Sequence, residues 1–233
     1  MQLDIIYEDK DILVCYKPVG IATQTANLSS QDMVSILKNY LSKKENKKSP
    51  YIGVIHRLDQ PVSGLLVFAK NQKASASLSK QIQGTQANKD YIALCAGCLK
   101  NNQGTLRHYI MKDSNKNMAK IINADEYKQN HSESYKEAIL NYEIEKEMEE
   151  YTLIKVHLQT GRFHQIRAQF AAIGHPLLGD GKYATLESRK LSALKNINKI
   201  ALCANQLMFK HPITGQEMKF FLEKNYLPNW YDN

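Results

Sequence analysis

The 233-residue chain carries 31 Lys plus Arg against 23 Asp plus Glu, a formal charge of +8. That length can bury the core of one large domain or two small ones, and a cationic excess suits a polyanionic partner, because each cation set against a phosphate releases condensed counterions. Four scattered cysteines, an N-terminus (MQLDIIYEDK) without a basic stretch and long apolar run, and no segment near the ~20 apolar residues that span a bilayer point away from a disulfide scaffold, a secreted precursor and a helical membrane protein. A reducing cytoplasm is the expected setting.

Residues 3–8 and 11–16 are short apolar runs split by an Asp-Lys turn and read as a hairpin or two successive strands. Ser30 is a candidate cap for a helix in which Met33, Val34, Leu37 and Leu41 share a face. SKKENKKSP (42–50) reads as a solvated loop, with four Lys to one Glu. Apolar β-rich runs at 51–58 and 64–69 flank a turn at 59–63. Residues 72–83 predict an amphipathic helix closed by Gly84, and 89–99 a strand. Its Cys95-x-x-Cys98 has no second pair to complete a zinc site, so the two are read as strand residues.

Residues 104–110 and 118–123 resemble a hairpin, and 134–144 and 151–158 long paired strands. Between the latter, 143–150 hold five Glu against one Lys, a stretch that repels phosphate. Gly161 is read as opening a helix through Ile173, followed by the Gly/Pro-rich loop GHPLLGDGKY; strands at 201–209 and 217–222 complete the order. Many strands with few scattered helices argue an α+β fold with largely antiparallel pairing, as a single domain over 1–233.

Two segments carry candidate chemistry. In HRLDQPVSGLLVFAK (56–70), His56, Arg57 and Asp59 end a buried-looking strand at a Pro-containing turn, where charged groups reach the rim of the core. The plainer reading is an ion-paired strand end. In LQTGRFHQIRAQF (158–170), Arg162 falls in the first turn of the expected helix. A cation is unfavourable there unless an anion lies close, so Arg162 is expected to pair with a carboxylate or phosphate from elsewhere. The plainer reading is a surface Arg.

At these residues the chain resembles the RluA/RluD-type pseudouridine synthases. The family's HRLD followed two residues later by Thr-Ser-Gly stands here as HRLD-QP-VSG, with Val62 in place of Thr. Lys17-Pro18-x-Gly20, Lys89-x-Tyr91-x-Ala93, TGRFHQIR (160–167) and GHPLLGDGKYA (174–184) match its other motifs in order. The resemblance implies the pseudouridine synthase fold, a long mixed, mainly antiparallel sheet with flanking helices bent around a central cleft; many relatives carry an N-terminal S4 domain, and with the catalytic fold expected to start near residue 3 a catalytic-domain-only member is expected. It implies isomerisation of uridine in ribosomal or transfer RNA. Asp59 would be the catalytic carboxylate, Arg162 the arginine that pairs with it, and Tyr91 the active-site tyrosine that stacks on the flipped nucleotide.

Lys17, His56, Arg57, His164, Gln165, Arg167 and Lys182 are the candidates for holding the surrounding RNA. No cofactor and no metal are expected, because the reaction moves neither electrons to a carrier nor phosphate. Neither a metal cage nor a dinucleotide fingerprint stands in the sequence. The partner expected is RNA, the protein a monomer with no membrane association. A non-catalytic RNA-binding or RNA-folding factor on the same fold is the alternative, disfavoured by the intact Asp59. An unrelated hydrolase would need a nucleophile elbow or a second spaced carboxylate, and neither is present.

Overall fold

A computed structural model of the chain describes residues 3–27, 30–84, 86–130 and 132–231. In chain order the elements are β1 (Ile5–Glu8), β2 (Ile12–Lys17), α1 (Met33–Glu45), β3 (Gly53–Val54), β4 (Ser63–Ala69), α2 (Gln72–Gln83), β5 (Asn88–Ala96), β6 (Gln103–Asp113), β7 (Met118–Ile122), α3 (Ala124–Asn130), β8 (Lys136–Glu147), β9 (Tyr151–Leu158), α4 (Gln165–Ala172), α5 (Leu186–Leu194), β10 (Leu202–Lys210) and β11 (Glu217–Phe221). A short 3-10 turn follows at Lys224–Tyr226. The α+β class holds. Every strand pair whose register is described is antiparallel. No helix among the described residues is long and apolar enough to cross a membrane.

Contacts divide the chain into two compact units, Met1–Lys89 with Ala204–Leu227, and Asp90–Cys203 with Pro228–Asn233. The first is built on strands in the order β1-β2-β4-β10, with β3 also on β4 and β11 on β10. All seven residues of β4 are buried, which explains its unbroken apolar sequence: a strand covered on both faces has no polar side to alternate with. Gly64 in this strand is required by its neighbour. Its φ is +129°, and a Cβ there would lie 2.3 Å from the carbonyl oxygen of Ala204 on β10. Gly64, two residues after Val62, is therefore where two backbones approach too closely for any side chain.

The second unit carries strands in the order β5-β9-β8-β6-β7. Leu94, Leu153, Leu178, Leu191, Ile197 and Ala201 form one apolar cluster. Ile110, Ala119, Ala138 and Ala168 form another beneath α4.

Several sequence expectations are corrected. The cap of α1 is Asp32, not Ser30: its side chain accepts the Ser35 amide while the Ser35 hydroxyl accepts the Asp32 amide, a reciprocal capping box. The helix continues to Glu45 and so takes in the first residues of the expected lysine-rich loop. The strand expected over 51–58 shrinks to Gly53–Val54, because the chain from 55 onward is held by side chains instead of a ladder. α4 begins at Gln165, four residues after Gly161, and α3 and α5 were not foreseen. For α5 a signal was present: Thr185 accepts the Ser188 amide as cap, with Glu187 in the first turn.

Candidate active site

In the first unit the Asp59 loop hangs from the segment that follows β2. The Thr23 hydroxyl accepts the Leu58 amide at 3.1 Å and donates to the Leu58 carbonyl at 3.0 Å, so one side chain replaces the missing strand partner. Asp59 comes next, and its carbonyl accepts the Val62 amide at 3.0 Å to close the turn. Gln60 is gripped from both sides: its carbonyl accepts the Gly20 amide at 2.9 Å, and its Nε2 donates to the Gly20 carbonyl at 3.0 Å. Val62, where the family has Thr, is 2 % exposed, a place for methyl groups.

Lys17 completes the clamp and departs from expectation. It is fully buried, and its Nζ donates to the carbonyls of Pro18 (3.1 Å), Ile21 (2.7 Å) and Gln60 (3.1 Å). An ammonium has three donors, and all three are spent. Lys17 therefore does not reach an RNA phosphate; it ties the Lys17-Pro18-Val19-Gly20 turn to the loop that carries Asp59. Burial pushes its pKa down to about 8, opposed by the charge of Asp59.

Lys17→Met should lower stability by about 3 kcal/mol, since each buried carbonyl left unmatched costs roughly 1–3 kcal/mol. The pH dependence has a definite sign. A lysine whose folded pKa lies below its unfolded value favours the folded state increasingly as pH rises between the two, here from about 8 toward 10.5. Urea titrations across that window should find the gap between wild type and Lys17→Met widening.

His56 is also corrected. Burial, and then the nearby charge of Lys89, push its pKa down to about 3. The ring is neutral and its Nε2 accepts the Val67 amide at 3.3 Å. It serves β4 and offers no positive charge to RNA. Arg57 beside it is exposed.

In the second unit Tyr91 lies on β5, 6 % exposed, opposite Val156 of β9. Arg162 does not lie in the first turn of a helix but in the turn before α4, so the helix-terminus argument for its counter-anion falls away. Its position is fixed by Gln165, whose Oε1 accepts the Arg162 amide at 2.9 Å and the Thr160 hydroxyl at 2.8 Å, while its Nε2 donates to the Ile139 carbonyl at 3.1 Å. The Arg162 Nε donates to the Glu137 carbonyl at 2.8 Å, and its side chain is exposed. Gln165 itself is 3 % exposed with both ends of its amide engaged in ordering the turn.

His164 and Arg167 also have protein partners. His164 takes a left-handed backbone, φ 52°, which ends the turn and starts α4. It is 8 % exposed, its ring stacks on Phe163 at 3.8 Å, and its Nδ1 meets the Tyr183 hydroxyl at 2.9 Å. Arg167 is buried and binds Asp180 through two parallel bonds, Nε to Oδ2 at 2.8 Å and Nη2 to Oδ1 at 2.7 Å. That fork is engaged by a protein carboxylate, which anchors α4 to the loop that carries Asp180. Lys182 is half-buried and its Nζ donates to the Asn117 carbonyl at 2.5 Å. Sequence reasoning missed Gln169, fully buried, whose Nε2 donates to the carbonyls of Leu106 and Ala138, both at 3.1 Å, and stitches α4 to β6 and β8. Its place four residues after Gln165, on the same helix face, was the available signal.

One set of possible metal ligands occurs among the described residues: Asp9, Asp11 and His211, with ligand atoms within 4.8 Å of one another. His211 Nδ1 accepts the Thr214 amide at 3.1 Å, which places the ring proton on Nε2, and Nε2 faces Asp9 Oδ2 at 2.9 Å. A nitrogen that donates to a carboxylate has no lone pair for a metal. The set is a hydrogen-bonded anchor of the β1–β2 turn.

The family model described as RNA pseudouridylate synthase matches residues 11–172, a span that contains the clamped Asp59 loop, Tyr91 and the Arg162 turn. The chain belongs to this family. An uncharacterised RNA pseudouridine synthase of Aquifex aeolicus is 34 % identical over 95 % of this chain and 69 % of its own length. The ribosomal large subunit pseudouridine synthase D of Vibrio vulnificus is 31 % identical over 94 % of this chain and 66 % of its own. The chain thus spans about two thirds of these relatives. Among solved structures, human RNA pseudouridylate synthase domain containing 4 shares the fold, with a TM-score of 0.75 at 19 % identity over 98 % of this chain and 90 % of that one. The pseudouridine synthase fold and an isomerase acting on RNA follow from the family.

Proposed function

We propose that the chain converts uridine to pseudouridine in ribosomal RNA, with Asp59, Tyr91 and Arg162 as its catalytic residues. The observation that carries this reading is the clamp on the Asp59 loop: Thr23, Gly20, Gln60 and a fully buried Lys17 fix one short segment whose distinctive chemical group is a carboxylate. A loop held by so many bonds is suited to present that group in one geometry. The choice of ribosomal RNA is supported by several relatives named for the large ribosomal subunit.

In this reading the C1′–N1 bond of a flipped uridine breaks with its electron pair leaving on uracil. The Asp59 carboxylate meets the electron deficiency at C1′, by covalent attack that C5 later displaces or by taking the C2′ proton and returning it as C5 adds to C1′. Uracil turns and C5 bonds to C1′; the C5 proton departs and N1 gains one. Atoms and electrons balance without a cofactor or metal. Tyr91 stacks on the nucleotide, a contact worth about 1–3 kcal/mol. Arg162, with its exposed guanidinium, takes the anionic charge of carboxylate or phosphate, while Arg57 and Lys182 hold neighbouring phosphates. The family match runs through residue 89, where the two units divide, which supports one catalytic domain over 1–233. We take that domain to act as a monomer in the cytoplasm.

The test is tritium release from transcripts of ribosomal and transfer RNA labelled at C5 of uridine. Release from ribosomal transcripts alone supports the proposal. Release from transfer RNA alone moves the substrate, and release from neither overturns the reading in favour of an RNA-binding factor.

A further inference from the structure

Lys89, the first residue of the Lys89-x-Tyr91-x-Ala93 motif, has no role in the account above. It is 8 % exposed, and among the described residues its ammonium has no hydrogen bond and no ion pair. Lysines are seldom buried this far without a counter-charge. The carboxylate next to it in sequence cannot supply one. Residues alternate across a strand, so Asp90 projects from the opposite face of β5, where it holds His157 Nδ1 at 2.6 Å. His56, whose pKa Lys89 helps to depress, is neutral and offers none. Burial holds the Lys89 pKa below the ordinary lysine value. Lys17, by contrast, feels Asp59 and is saturated by three carbonyls.

A largely buried lysine that meets no anion among the described residues, and whose ammonium is not one of the sealed-off unpartnered groups, is suited to an anion that arrives later. Lys89 occupies the same face of β5 as Tyr91, two residues on, and both are buried. Resting on the pseudouridine synthase reading, we propose that Lys89 is a catalytic residue whose ammonium hydrogen-bonds a uracil carbonyl oxygen and takes up the negative charge that develops when the glycosidic bond breaks. The electron pair of the C1′–N1 bond passes to N1 and is delocalised onto the uracil carbonyls. The ammonium gives up no proton; it stabilises that anion until C5 bonds to C1′ and the ring is neutral again. A cation placed where charge develops, in a site with little water, accelerates bond breaking more than it strengthens binding.

The test compares Lys89→Met and Lys89→Arg with wild type, using single-turnover tritium release, RNA dissociation constants at several salt concentrations, and thermal unfolding. The expected result for Lys89→Met is a rate lowered by about 100-fold or more, a dissociation constant within twofold of wild type, and a melting temperature equal or higher, because an apolar side chain replaces an unpaired buried charge. Lys89→Arg should recover at least a tenth of the rate. A rate for Lys89→Met within threefold of wild type overturns the proposal. So does weaker binding with a salt slope reduced by about 0.7, the mark of a lost phosphate contact, and so does a lowered melting temperature with a parallel loss of rate, the mark of a structural lysine. Wild type without tritium release on any RNA would instead overturn the function on which the proposal rests.

Discussion

Replacing Asp59 with Asn is expected to remove tritium release from C5-labelled RNA, by about 10⁴-fold or more, the scale seen when a catalytic carboxylate loses its charge. The change is nearly isosteric, and the bonds that fix the loop run through Thr23, Gly20, Gln60 and Lys17, which it leaves in place. Stability should therefore change little, and RNA should still bind. One further effect has a definite direction. The charge of Asp59 keeps the Lys17 pKa from falling further, so Asp59→Asn should lower it, and the alkaline rise in stability should begin at lower pH. Residual activity within tenfold of wild type would remove Asp59 from the chemistry.

Arg167→Met is expected to be the most destabilising single change in the second unit. The Arg167 and Asp180 side chains are 4 % and 0 % exposed, and breaking such a pair from one side leaves a buried charge alone, at about 3–5 kcal/mol. For a chain of this size that is roughly 10 °C in melting temperature. Burial alone would raise the Asp180 pKa, but Arg167 and the amides of Lys182 and Tyr183 hold it below the usual carboxylate value. A carboxylate with a depressed folded pKa contributes stability that is fully present above its unfolded value. That contribution is lost as pH falls through the folded one. Acid denaturation of wild type should steepen below about pH 4, and Arg167→Met should lose that feature. The double variant Arg167→Met with Asp180→Leu should regain part of the loss; if it is no more stable than the single variant, the pair is not the cause.

The chemistry was more legible in the sequence than the supports around it. HRLD at 56–59 lies in a loop and TGRFHQIR at 160–167 runs from a turn into α4, and their order along the chain carried the family. What misled was the habit of assigning a lysine or arginine near such motifs to the solvent. Lys17 and Arg167 are buried because each found enough partners, three carbonyls in one case and a carboxylate in the other, and a partner distant in sequence leaves no local signal. The Asp59 approach has the apolar, β-rich sequence of a strand; the Thr23 hydroxyl occupies the Leu58 backbone groups that a strand neighbour would use. Gly161 suggested a helix start, yet the left-handed turn falls on His164, where aromatic contacts with Phe163 and Tyr183 stabilise it.

The close passage of β10 over Gly64 has a consequence for how the molecule comes into being. The first unit joins Met1–Lys89 to Ala204–Leu227, whereas nearly all of the second is one continuous stretch. During synthesis the second unit can assemble from neighbours already made, while β4 waits for a strand about 140 residues downstream. Long-range pairing of this kind is slow and leaves an apolar strand uncovered in the meantime. A ribosome stalled before residue 202 would thus hold the Asp59 loop without the strand that covers its root, and the nascent chain should be both inert toward RNA and a client for chaperones.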